Sequence, residues 1–201
     1  GSGLLLSLTS NRTDKELAIE AIAKCDLDDI SQKIYVTTLN RLAHEGVDVT
    51  KAAVKILNDD KFTFFIPQHA MTFNQSYCLT YMLLPQNNNS YVDTLISIFP
   101  IVGMTAKKSI ITTLWFAYSC KGDEFIKSVI TNQIADKEVR EYAQKIMSYT
   151  KLTKDQKDYL KIVGKENIGD LRLMSLQRFS DEAIGELDMT TRVLRNEENC
   201  H

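Results

Sequence analysis

From residue 13 onward, apolar side chains recur three and four positions apart, the spacing that places them on one face of an α-helix. Thr13-Asp14-Lys15-Glu16 has the form of a capping box, and Leu17, Ala18, Ala21, Ile22 and Cys25 follow on one face. Asp28 or Asp29 can start a second helix carrying Ile30, Ile34, Leu39 and Leu42, which should end near Gly46. A third helix from Asp48 groups Val49, Ala52, Ala53, Ile56 and Leu57. A short helix over 61–66 is expected to stop at Pro67, because an interior proline removes an amide donor and clashes with the preceding turn. Thr72 then caps a helix with Phe73, Tyr77, Tyr81 and Leu84 on one side. Beyond an Asn-rich loop, Ser90 opens a helix with Val92, Leu95, Ile96 and Phe99, and Thr105 caps one with Ala106, Ile110, Leu114 and Ala117. A helix from Asp123 with Phe125 and Val129 precedes one with Val139, Ala143, Ile146 and Met147. Tyr159, Ile162 and Val163, then Leu171, Met174, Leu176 and Phe179, continue the pattern to a last helix from Ser180 and a polar tail. No strand pattern of comparable strength is present.

The middle of this pattern repeats. Residues 66–73 read IPQHAMTF and residues 99–106 read FPIVGMTA, an offset of 33, with Pro67 over Pro100, Met71 over Met104 and Thr72 over Thr105. The chain has only 3 prolines, so two in register argue for a real period. Phe73, Ala106 and Val139 continue the same 33-residue step. A fixed period of this size marks stacked helical hairpins, whose second helices should lie parallel in one layer.

The ankyrin T-P-L-H signature and the tetratricopeptide W-L-G-Y pattern are both absent. Two features carry a different resemblance: a proline late in the first helix of a unit (Pro67, Pro100), and a second helix of the form V-R-x-x-A-x-x-I at Val139-Arg140-Glu141-Tyr142-Ala143-Gln144-Lys145-Ile146. In these the chain resembles the HEAT-like, armadillo-type family over roughly 60–179. Tyr77 and Ile110 stand where that pattern has Ala143, and the later units lack the proline. The resemblance implies an all-α, right-handed superhelix of about four hairpins. The organisation expected is an N-terminal helical cap over 4–58, the array over 59–180, and a C-terminal helix and tail over 181–201.

Composition adds little to this. Hydrophobic residues are 44% and charged residues 25%, ordinary for a folded chain, and a formal net charge of −2 speaks against binding polyanions by bulk electrostatics. Cys25, Cys78, Cys120 and Cys200 are far apart, with no C-x-x-C pair. The first three fall in apolar helical patterns and read as buried free thiols, which favours a reducing compartment and a cytoplasmic location. Leu4, Leu5, Leu6 and Leu8 form a run too short to span a bilayer. It reads as a cap on the first helix or as the remnant of a removed signal or anchor. Asn11, Asn74 and Asn88 each begin an N-x-S/T triplet, a pattern common enough by chance to carry no weight.

Candidate chemistry is sparse. His44, His69 and His201 show no paired ligand spacing, there is no nucleophile elbow, and no glycine-rich loop could cradle phosphate. Carboxylate pairs such as Asp28-Asp29 and Asp59-Asp60 fall at expected helix starts, where they favour the positive end of the dipole. No catalytic, cofactor or metal site is expected. The better candidate is a surface: Asn74, Lys107 and Arg140 occupy equivalent places, with Lys108 and Lys145 nearby, and Trp115, which aligns with Met82 and Ser148, reads either as buried packing or, if exposed, as an aromatic anchor. The expected function is a non-catalytic scaffold that binds a protein or acidic peptide along the second helices. The alternative is a nucleic-acid-binding protein or repair-type enzyme gripping phosphates with the same basic row.

Overall fold

In the computed structural model, the structure describes residues 12–22, 29–66, 71–86, 89–117, 119–132 and 136–148. The expectations for 151–201 lie outside these residues. The chain divides into two compact units, 1–113 and 114–201. Among the described residues the fold is predominantly helical, with one short antiparallel hairpin.

In the first unit, α1 (Arg12–Ile22) and α2 (Asp29–His44) come first. Because α1 already includes Arg12, Thr13 lies inside it and is not the cap. The end of α2 is set locally. Gly46 has φ +82°, its amide donates to Ala43 O and the Val47 amide donates to Leu42 O, the two bonds of a Schellman motif. The Asp48 carboxylate then accepts the Thr50 amide at 2.9 Å and starts α3 (Thr50–Ala53), which tightens into a 3-10 turn over Val54–Asn58.

The expected helix over 61–66 is instead a strand. β1 (Thr63–Ile66) pairs antiparallel with β2 (Met71–Asn74), in the register Thr63↔Asn74 through Ile66↔Met71. Two effects outweigh helix formation here. Thr-Phe-Phe-Ile is β-branched and aromatic throughout, and a residue before proline, here Ile66, is pushed from the α region to the β region. Thr72 is therefore a strand residue and caps nothing.

The cap of α4 (Gln75–Leu83) is Asn74, in extended conformation, whose Oδ1 accepts the Tyr77 amide at 2.9 Å. This helix packs on α2, where Asn40 Nδ2 donates to Tyr81 O at 2.6 Å. Leu39, Leu42, Ile56, Leu79, Met82 and Leu83 are fully buried and form the centre of the unit's core. Phe73, Tyr77 and Tyr81 stack in succession at 4.2 and 5.6 Å.

Next, α5 (Ser90–Ile98) runs into a 3-10 turn over Phe99–Ile101, so Pro100 converts the helix rather than ending it abruptly. α6 (Met104–Phe116) begins before the expected cap: the Lys107 amide donates to Gly103 O, and Thr105 lies in the first turn. Asp60 does not start a local helix either. A Cβ built on Gly103 would stand 3.4 Å from Asp60 Oδ1, so this carboxylate sits against the N-terminal end of α6, where a negative charge is favoured.

The 33-residue period is realised between α4 and α6. Ser76 Oγ lies 3.0 Å from Ser109 Oγ, and Thr80 Oγ1 lies 2.9 Å from Thr113 Oγ1. Each contact joins residues 33 apart, and the order is the same along both helices. An antiparallel pair would match Ser76 with Thr113, so α4 and α6 run in the same direction side by side.

The second unit contains the end of α6 from Leu114, then α7 (Cys120–Thr131) and α8 (Lys137–Ser148), which pack together. Ser119 Oγ accepts the Gly122 amide at 3.0 Å and caps α7. The apolar faces are Ile126 and Val129 on α7, and Val139, Ala143 and Ile146 on α8, all buried. Glu138, Glu141, Gln144 and Lys145 face solvent. α6 and α8 begin 33 residues apart, at Met104 and Lys137. The strand β2 occupies 71–74, the positions equivalent to the first turn of those two helices.

Candidate interaction surface

The six candidate surface residues separate on burial. Asn74 is exposed, but its carbonyl oxygen is committed to the Tyr77 amide. Lys107 and Lys108 are half-buried in the first turns of α6, and the Lys107 ammonium stands 5.9 Å from the Phe99 ring centroid, a cation–π contact. Trp115 is a correction: its side chain is 0% exposed and meets Phe116 edge-on at 4.9 Å, so it is a core residue rather than an anchor. Arg140 is half-buried and Lys145 exposed, both on α8. Asn74, Lys107 and Lys108 thus belong to the first unit, and Trp115, Arg140 and Lys145 to the second.

The second helices are more interior than expected. In α4, Gln75 and 77–80 are buried, and in α6 every residue from Ser109 to Phe116 is buried. Beyond the half-buried Ser76 and Tyr81 of α4, what these two helices expose lies in the first turns of α6 and the turn before it. There the chain shows its most exposed large apolar side chain among the described residues, Ile101, at 83%. Pro100 beside it is also exposed. Ile101 lies two residues after Phe99, the ring over which the Lys107 amine stands.

Between α4 and the segments around it lies a buried polar network that the sequence did not announce. Gln75 is 2% exposed. Its Nε2 donates to Ile56 O at 3.0 Å and Asp59 O at 2.7 Å, while its Oε1 accepts the Ser109 hydroxyl at 2.7 Å. Ser109 and Thr113 also reach back to carbonyls one turn earlier, Thr105 O and Ser109 O. Each hydroxyl therefore has an acceptor within its own helix and a partner across the seam, which makes the network structural. The only signal in the sequence was a glutamine among apolar positions, and nothing local names its partners.

Among the described residues, titration is perturbed in few places. Glu45 is held below the usual carboxylate range, first by its hydrogen bond from Lys15 and further by Arg41. Burial pushes the Tyr77 and Tyr81 hydroxyls up, and burial likewise raises the Cys78 thiol. The neighbouring Tyr81 and Cys78 add to the rise at Tyr77. Among the described residues, no group of three or more His, Cys, Asp and Glu could hold a metal ion. No helix among them is long and apolar enough to cross a membrane. His44 is exposed at the end of α2, and His69 and His201 lie outside the described residues.

The cysteine reading needs a further correction. Cys78 is a buried free thiol as expected, but Cys120 is disulfide-bonded.

Among the described residues the geometry thus defines a predominantly helical fold in which α4 and α6 run parallel in a 33-residue register. Comparison with protein-family models, curated proteins and solved structures found no match.

Proposed function

We propose that the chain is a non-catalytic interaction module of HEAT-like hairpins, and that a protein partner docks on the turn preceding α6. The observation that carries this reading is the pair of hydroxyl contacts, Ser76 to Ser109 and Thr80 to Thr113. They support a translational relation between successive second helices, the relation on which repeat arrays are built. Such arrays bind along surfaces rather than in pockets. The basic row suggested by spacing is reduced to Lys107 and Lys108 in the first unit, joined there by Ile101.

Ile101 supplies the apolar anchor, and the two amines suit carboxylates on the partner. A partner with an apolar pocket rimmed by acidic residues fits this chemistry. Interfaces draw most of their affinity from a few such anchors, the surrounding polar contacts setting register. The net charge of −2 and the burial of Trp115 take support from the nucleic-acid alternative.

The test is a photo-crosslinking side chain placed at position 101, compared with one at the exposed position Lys121, in cells that express the protein naturally. Discrete adducts at 101 that vanish with Lys107→Glu/Lys108→Glu are the expected result. Equal adducts at both positions, or none at 101, would refute this surface. Adducts sensitive to nuclease would favour the nucleic-acid reading instead.

A further inference from the structure

An exposed tip is not fixed by its own packing. Ile101 is 83% exposed at the end of the 3-10 turn Phe99–Ile101, so its place is set by what holds the two sides of that turn. On one side is Phe99, buried, with the Lys107 amine over its ring. On the other is Gly103, whose carbonyl accepts the Lys107 amide and so joins the turn to α6.

Two contacts from elsewhere in the first unit brace this second side, and both lead back to Gln75. Gln75 Nε2 donates to Asp59 O, the same carbonyl that accepts the Phe62 amide and closes a turn over 59–62. Asp59 Oδ1 tightens that turn by accepting the Lys61 amide at 2.9 Å. Asp60, its second residue, sets a carboxylate against Gly103, where a Cβ would stand 3.4 Å from Oδ1. Gln75 Oε1 meanwhile accepts the Ser109 hydroxyl, roughly 9 Å further along α6. One buried side chain therefore holds α6 directly at Ser109 and, through the 59–62 turn, at Gly103.

We propose that Gln75 is a positioning residue for the docking turn, fixing the start of α6 so that Ile101 is presented in one place. The inference rests on the docking reading above and adds what gives that surface its affinity. A turn already held in its bound position loses less conformational entropy when the partner arrives. Without the brace, only molecules with the turn in place can dock, and apparent affinity falls by that fraction.

The experiment reads amide hydrogen exchange of the full chain in Gln75→Leu, and in Gly46→Ala as a variant perturbed away from this turn. The probes are the Lys107 amide, bonded to Gly103 O, and the Val47 amide, bonded to Leu42 O. Gln75→Leu should speed exchange at Lys107 by about tenfold and leave Val47 unchanged, and Gly46→Ala should do the reverse. Photo-crosslinked adducts at position 101 should fall by about threefold or more in Gln75→Leu and hold steady in Gly46→Ala. Exchange at Lys107 that is unchanged, or raised equally by both variants, overturns the positioning role, because a general loss of stability raises both. Faster exchange with undiminished adducts overturns it too and leaves the docking surface standing. No adduct at 101 in wild type removes the docking reading itself, and this inference with it. Should Gln75→Leu fail to fold, Asp60→Ala at an exposed position carries the same test. Its Lys107 exchange should rise by about threefold, and an unchanged rate overturns the brace.

Discussion

Replacing Gln75 with leucine tests the polar seam most directly. Leucine has nearly the same volume and better helix propensity, so the substitution isolates the side-chain hydrogen bonds. Three would be lost: to Ile56 O, to Asp59 O and from the Ser109 hydroxyl. None of these partners is left wholly unpaired. Ile56 O still accepts the Asp59 amide, Asp59 O still accepts the Phe62 amide, and Ser109 still reaches Thr105 O. The relevant cost is therefore the net value of a hydrogen bond, about 0.5–1.5 kcal/mol each, rather than the larger penalty for an orphaned group. Three bonds sum to about 3 kcal/mol, less whatever the extra apolar burial returns, and a net loss of about 2 kcal/mol is expected. For a chain of this length that corresponds to a Tm lower by roughly 4–8 °C. Urea denaturation followed by circular dichroism reads the change, and Ser109→Ala with the double mutant completes a cycle. A coupling of about 0.5 kcal/mol or more between the two sites is expected because they touch. A loss below about 0.5 kcal/mol for Gln75→Leu, the range of unremarkable surface changes, would refute the buried hub.

Other substitutions probe the ends of helices and the perturbed carboxylate of Glu45. A Cβ at Gly122 would lie 2.9 Å from Ser119 Oγ and 3.2 Å from Leu114 O. Gly122→Ala should thus destabilise despite alanine's helix propensity, by about 1–3 kcal/mol as for other overpacked sites, and stabilisation in a thermal melt would contradict the close approach. Gly46→Ala forces an L side chain to φ +82° and should cost about 1 kcal/mol; an unchanged urea midpoint would mean the Schellman end of α2 is not maintained. The Glu45 carboxyl is lowered from 4.5 in the folded chain, so its contribution is complete above the unfolded value and fades as pH falls through the folded one. Lys15→Met should therefore lower stability at pH 7 and flatten its acid limb below about pH 5. Equal acid limbs for variant and wild type would exclude the Lys15–Glu45 pair as its cause.

Features coded by near neighbours were legible in the sequence. Gly46 ends α2 and Asp48 starts α3 because both act through backbone groups within three residues. The period was legible too, and it reappears as side-chain contacts at the same offset between α4 and α6. Thr72 and Thr105 were misjudged as caps for different reasons. At Thr72 a strand pairing four residues long competes with helix initiation, and at Thr105 the helix starts two residues sooner, from Gly103. The surface row was legible only in part. Spacing places Lys107 and Arg140 alike, each the fourth residue of its helix, but it does not say how deep that helix lies. Trp115 shows the consequence, since α6 buries every residue from Ser109 to Phe116, leaving no solvent face there.

By itself the sequence determined where most helices of the described residues run, how α2 ends, and that the α4 and α6 segments are related by 33 positions. Those properties depend on side chains three or four apart, whose separations are set by helix geometry alone. Only the tertiary structure decided that 63–66 is a strand, that Gln75 meets Ile56, Asp59 and Ser109, that Trp115 is core, and that Cys120 is bonded. Each of those joins groups brought together from distant positions or depends on how much covers a side chain. Chain periodicity carries no information about such encounters. They are settled by which packing buries the most apolar surface while leaving the fewest polar groups unpaired.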